Sequence, residues 1–167
     1  SLNPAKSLIG GTFFPQNPVL SNYEELVTND FFPYLTWLFN SLKIATVTTL
    51  LTVFLTCLAG YTLSRFRFRG RKAFMTAILI LNVFPSILAM VAIFSMLQQL
   101  GLYIAALGLD THTALICIYV AGSMGINVLL VKAYIDSIPL ELDESALVDG
   151  ATPWQTFRHI ILPIMTP

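Results

Sequence analysis

Apolar residues in this chain do not alternate with polar ones; they continue for long stretches. Such stretches cover residues 38–63, 73–97 and 113–131. The first is broken only near its start, by Asn40, Ser41 and Lys43, and the last carries no charge. A helix needs about 20 residues to cross a bilayer, whereas a membrane β-strand needs roughly ten in alternation. Helices follow, because lipid tolerates only internally satisfied backbone. The expected spans are 35–64, 73–98 and 113–134, and residues 160–167 start a fourth. The chain opens at Ser1 and ends at Pro167 inside that last run, so a longer parent polypeptide is expected.

Composition agrees with the pattern. Of 167 residues, 56% are hydrophobic and 11% charged, with nine basic against nine acidic residues. Mean hydropathy is +0.75. A soluble domain carries about 25% charged residues, and a core of this size would lack the polar surface to cover it. Disorder, a disulfide scaffold and a nucleic-acid binder relying on net positive charge are excluded. The fold class is all-α integral membrane. Cys57 and Cys117 lie inside apolar runs and read as inert thiols. No secretory signal pattern opens the chain.

Charge sets the expected orientation. Residues 65–72 hold Arg65, Arg67, Arg69, Arg71 and Lys72 between two spans, so the positive-inside bias makes this loop cytoplasmic. Residues 99–112 contain no Lys or Arg and face outward. Residues 1–34 are then extracytoplasmic, with a further span expected ahead of them, and residues 135–159 return to the cytoplasm. The outer segment, with Pro4, Gly10, Gly11, Pro15 and Pro18, reads as irregular loop apart from a short helix near 23–27. Phe31, Phe32, Tyr34 and Trp37 mark the membrane entry, and Lys43 can snorkel outward.

Polar residues inside the spans admit two readings. Asn82 and Pro85 predict either a packed kink with an interhelical hydrogen bond or a helix bent around a translocation path faced by Asn82 or Ser86. The packed kink is the default. The small-residue patch Ala121-Gly122-Ser123-Met124-Gly125, with Asn127, predicts helix packing first and pore lining second. No acid or histidine lies within a span, which weakens an ion-coupled transporter. His112 and His159 fall on opposite sides and share no metal-ligand spacing with the cysteines. A phosphate-cradling glycine loop is missing from the sequence, so nucleotide would have to be bound by another chain.

The richest stretch is 138–163. Pro139 suits a first turn, and Glu141, Asp143 and Glu144 place acids near a helix N-terminus. Gly150 can cap that helix in the left-handed conformation. Thr152-Pro153-Trp154-Gln155 then matches a capping box for a second helix. Two short helices joined at a glycine and ending at Leu162-Pro163 are expected, with Leu142, Ala146 and Leu147 on the apolar side of the first and Glu144 and Asp149 as polar contacts. Trp154 and Phe157, three apart, are expected to be exposed together as aromatic anchors for a soluble partner. Four acids and no base in 140–149 argue against a helix lying on anionic lipid.

Glu144-Ser145-Ala146, three residues, Gly150, nine residues and Ile160-Ile161-Leu162-Pro163 resemble the EAA signature of ABC importer permeases. The departure is Ser145 in place of an alanine. Asp149 to Trp154, Asn40-Ser41-Leu42 and Asn22-Tyr23 are similar to the carbohydrate branch of that family. Gly101 to Ile104 and Gly108 to His112 resemble its maltose/maltodextrin permeases. The resemblance implies a type I importer bundle in the cell membrane and a permease rather than an enzyme. It implies a second homologous permease, two ATPase subunits that bind the ATP, and an extracellular sugar-binding protein. It also implies that Glu144, Ser145, Ala146, Asp149, Gly150, Trp154, Phe157, Ile160, Leu162 and Pro163 couple the membrane helices to the ATPase. The translocation path is expected near Asn82, Pro85, Ser86 and Asn127.

Overall fold

A computed structural model describes residues 20–28, 31–83 and 86–166, and every regular element among them is helical. The chain forms two compact units, residues 1–45 and 46–167. In the first, α1 (Ser21–Thr28) is a little longer than the sequence suggests. The next helix, α2 (Tyr34–Arg65), begins after Pro33, whose carbonyl accepts the Trp37 N–H at 3.1 Å. Phe32 and Trp37 meet edge to face, their centroids 6.5 Å apart. The irregular loop expected before residue 20 lies outside the described residues.

In the second unit α2 continues to Arg65, and α3 (Arg71–Val83) follows a turn at Gly70. The expected span 73–98 is carried by α3 and α4 (Ser86–Tyr103). Pro85, where the kink is expected, lies outside the described residues, as does the side chain of Ser86. A short 3-10 turn at Ala105–Leu107 leads to α5 (His112–Asp136). Gly101 and Gly108 make this reversal possible: a Cβ on Gly101 would lie 2.8 Å from the Gly108 Cα. Thr111 then caps α5, accepting the Ala114 N–H at 3.2 Å while donating back to Gly108 O.

Two of these helices, α2 with 32 residues and α5 with 25, are long and apolar enough to cross a membrane. Few of their hydrophobic side chains are fully buried, and those of α2 are mostly exposed, which water would penalise and lipid would not. The helices approach where side chains are small. Gly60 of α2 sits against α5, so a Cβ there would lie 2.6 Å from Val131 Cγ1. Gly125 of α5 lies under Asn82 of α3, where a Cβ would come within 2.7 Å of Nδ2.

Among the described residues, Asn82 departs from the expected interhelical bond. Its Nδ2 donates to Ile78 O of its own helix at 2.8 Å. Asn127 does the same to Ser123 O at 2.7 Å. A side-chain amide four residues beyond a carbonyl can reach it without a partner helix, so each donor is satisfied locally.

Candidate coupling elbow

The largest buried cluster sits at the C-terminal end of α5. Tyr61, Ile135, Ile138, Phe157 and Ile161 form it, with Cys57, Leu58, Val131, Ile160, Leu162 and Met165 packed around them. The segment after α5 folds over this core as an elbow of two helical arms.

The first arm is α6 (Glu141–Val148), with Glu141, Asp143 and Glu144 in its first turn, where the helix dipole favours acids. Gly150 ends it at φ +80°, a conformation costly for any residue with a Cβ. The Gly150 N–H reaches Leu147 O at 3.1 Å and the Ala151 N–H reaches Ala146 O at 2.9 Å. This pair of bonds is a Schellman motif.

The second arm starts immediately. Thr152 Oγ1 accepts the Gln155 N–H at 3.3 Å, and Gln155 Oε1 accepts the Thr152 N–H at 2.7 Å. With Pro153 in the first turn, α7 (Pro153–Thr156) opens the arm. A π-helical turn at Phe157–Ile161 and α8 (Leu162–Met165) complete it. The sequence suggests a stop at Leu162-Pro163, yet the helix carries through. Pro163 has no N–H and its ring crowds the preceding turn; the wider π turn accommodates both. Tyr134 of α5 ties back to this arm through its hydroxyl, which donates to Ile164 O at 3.3 Å.

The EAA-like residues divide into an inner and an outer set. Ala146 and Phe157 are buried, and Ile160 and Leu162 are half-buried against the core. Glu144, Ser145, Asp149 and Pro163 are exposed, as are Leu142, Leu147 and Val148. Phe157 therefore corrects the sequence expectation. It is 3% exposed and cannot be a surface anchor, whereas Trp154 at 49% can. Their rings touch, centroids 5.6 Å apart, but Phe157 turns inward onto Tyr61 at 5.0 Å. Helical spacing shows that the two share a side, not which side faces the core.

The polar ties from α2 were not legible in the sequence. Tyr61 Oη donates to Pro153 O at 3.2 Å. Ser64 Oγ donates to Asp136 Oδ1 at 2.6 Å. Arg65 Nη2 donates to Ile138 O at 3.0 Å, and its Nε faces Asp143 Oδ2 at 2.9 Å as an ion pair. By sequence alone, Arg65 is simply one of the five basic residues of the loop 65–72. Asp136 also pairs with Lys132. Burial pushes the Asp136 carboxyl upward; hydrogen bonds from Lys132 and Ser64, with the charges of Lys132 and Arg71, outweigh it and hold the group below its ordinary value.

The other candidate site is less complete. A cavity of about 410 Å³ lies between helices and is lined by Phe74, Ile78, Asn82, Gly122, Gly125 and Val128. Asn82 thus borders a cavity, and Asn127 is not among its lining residues.

The family model described as "Binding-protein-dependent transport system inner membrane component" matches residues 52–167, which take in the elbow and the helices around it. The chain belongs to this family. As a member of the inner membrane component family it is a membrane protein, which accounts for the apolar surfaces of α2 and α5. It is 40% identical over 168 residues to a maltose/maltodextrin transport system permease protein of Vibrio vulnificus, covering 94% of this chain and 56% of that protein. A galactooligosaccharides transport system permease protein of Bacillus subtilis is 38% identical over 168 residues, covering all of this chain and 57% of that relative. An Escherichia coli maltose/maltodextrin permease protein is 39% identical over 136 residues, covering 81% of this chain and 46% of its own length. The chain thus spans about half the length of these relatives.

Proposed function

We propose that this inner membrane component is permease sequence of an ATP-driven carbohydrate importer, with maltose or a maltodextrin as cargo. The observation that carries the reading is the elbow itself. Its interior is packed into the bundle, its outer face presents Glu144, Leu147 and Trp154, and its angle is held by Gly150 at φ +80°. A partner that gripped the outer face would move the core residues with it, because both arms are capped and packed. Two ATPase subunits supply the ATP hydrolysis in this reading. A second permease completes the bundle and an extracellular sugar-binding protein delivers cargo. Glu144 contacts a basic group of the ATPase, and solute passes near Asn82, Pro85, Ser86 and Asn127 in a multi-pass cell-membrane protein.

Cysteines at Leu147 and Val148, both exposed, test the contact in the full-length protein within its membrane. Crosslinking to a nucleotide-hydrolysing subunit is the expected result; capture of none at either position overturns the reading. The Bacillus relative supports a galactooligosaccharide as a second cargo reading. ATP-driven uptake of labelled maltodextrin, competed by unlabelled galactooligosaccharide, separates the two.

A further inference from the structure

We propose that Arg65, through Asp143, is the positioning residue that delivers movement of the elbow to α2. The proposal deepens the importer reading and rests on it. A single stretch at the end of α2, Tyr61 to Arg65, makes polar contacts with four successive stations of the following fold. Ser64 holds Asp136 at the end of α5, and Arg65 holds the Ile138 carbonyl in the linker. Arg65 also pairs with Asp143 in the first arm, and Tyr61 binds the Pro153 carbonyl at the start of the second. Both arms are thereby fastened to one helix end, and the Tyr61–Phe157 ring contact at 5.0 Å lies among these ties.

A lever needs attachments at separated points; one contact is a pivot, whereas contacts on both arms oppose rotation about it. Among these ties the Arg65–Asp143 pair alone joins two formal charges, held at 2.9 Å by Coulomb attraction without a hydrogen bond between Nε and Oδ2. The Arg65 side chain is 8% exposed and that of Asp143 18%, so little water is available to replace either partner. Parting buried charges leaves each uncompensated, a large penalty compared with breaking an exposed pair. Asp143 and Glu144 are neighbours with different surroundings: Asp143 is partly buried against Arg65, and Glu144 is exposed. Force applied at Glu144 therefore enters α2 through the adjoining residue.

The test uses the full-length protein in its assembled complex, in liposomes, with uptake of labelled maltodextrin or galactooligosaccharide and ATP hydrolysis measured together. Arg65→Gln is expected to lower solute moved per ATP by about tenfold, within the range for residues that carry coupling between sites, while ATP hydrolysis continues. Arg65→Asp combined with Asp143→Arg is expected to recover most of that ratio. A merely structural brace would change the amount of complex and leave the ratio alone. An unchanged ratio in Arg65→Gln overturns the proposal. Should that variant fail to assemble, the exchanged pair decides: assembly with a recovered ratio supports the proposal, and an uncoupled or unassembled complex overturns it. Absence of ATP-driven uptake of either sugar in the unsubstituted protein would instead sink the importer reading.

Discussion

Phe157 and Trp154 touch each other, yet their environments assign them different work. Phe157 is closed into the core with Ile135 and Ile161, both 0% exposed. Replacing it with alanine leaves a cavity, a change that costs about 3–5 kcal/mol in well-packed sites. Phe157→Ala is therefore expected to lower the thermal midpoint of the purified protein and its yield in the membrane. Trp154→Ala removes a half-exposed ring and is expected to leave the midpoint nearly unchanged while reducing elbow crosslinking to its partner. Similar losses of midpoint in both variants would contradict this division. Asp136 adds a pH dependence with a definite sign. Its folded carboxyl titrates below the ordinary value, so it contributes stability above that value and loses it as pH falls through the folded pKa. Melting midpoints should decline below about pH 4, and Asp136→Asn should flatten part of that decline. The group is half-exposed, so the effect should not exceed about 1 kcal/mol.

At the level of elements, what was legible followed from chemistry within a few residues. The left-handed Gly150, the Thr152–Gln155 box and the acids opening α6 are local, and each stands where the sequence places it. The ties Tyr61–Pro153 and Arg65–Ile138 join residues 92 and 73 positions apart, and no local rule selects such partners. The same limit applies to the burial of Phe157. Pro163 was visible as an interruption, but neighbouring packing carries the helix through it as a π turn. Glycines within apolar runs were readable as packing sites, although their partners were not. Gly125 proves to lie against the Asn82 amide, which an added side chain would have to displace. Gly125→Leu is expected to force α3 from α5 at a cost of about 1–3 kcal/mol. Gly122 meets nothing within 4 Å of an added Cβ, so Gly122→Ala is the matched control. Thermal melts in detergent should separate the two; equal midpoints would remove the packing role of Gly125.

For the whole molecule, the elbow joins an apolar bundle to an acidic outer surface, and its action depends on both contact and angle. Glu144→Lys reverses the charge at an exposed position, so the bundle should insert and pack as before. Gly150→Pro acts on the other requirement: the proline ring fixes φ near −65°, far from the observed +80°. It also removes the N–H that reaches Leu147 O. The first variant should keep the elbow's shape and lose its grip; the second should keep Glu144 and lose the angle at which it is presented. Both are expected to abolish ATP-driven sugar uptake by the full-length complex while membrane insertion, followed by protease protection, stays intact. Only Glu144→Lys should recover activity when a basic residue of the ATPase surface is exchanged for an acid, because charge complementarity can be restored from the partner's side and a backbone angle cannot. Recovery of Gly150→Pro by the same exchange would show that the glycine's conformation is not what aims the elbow.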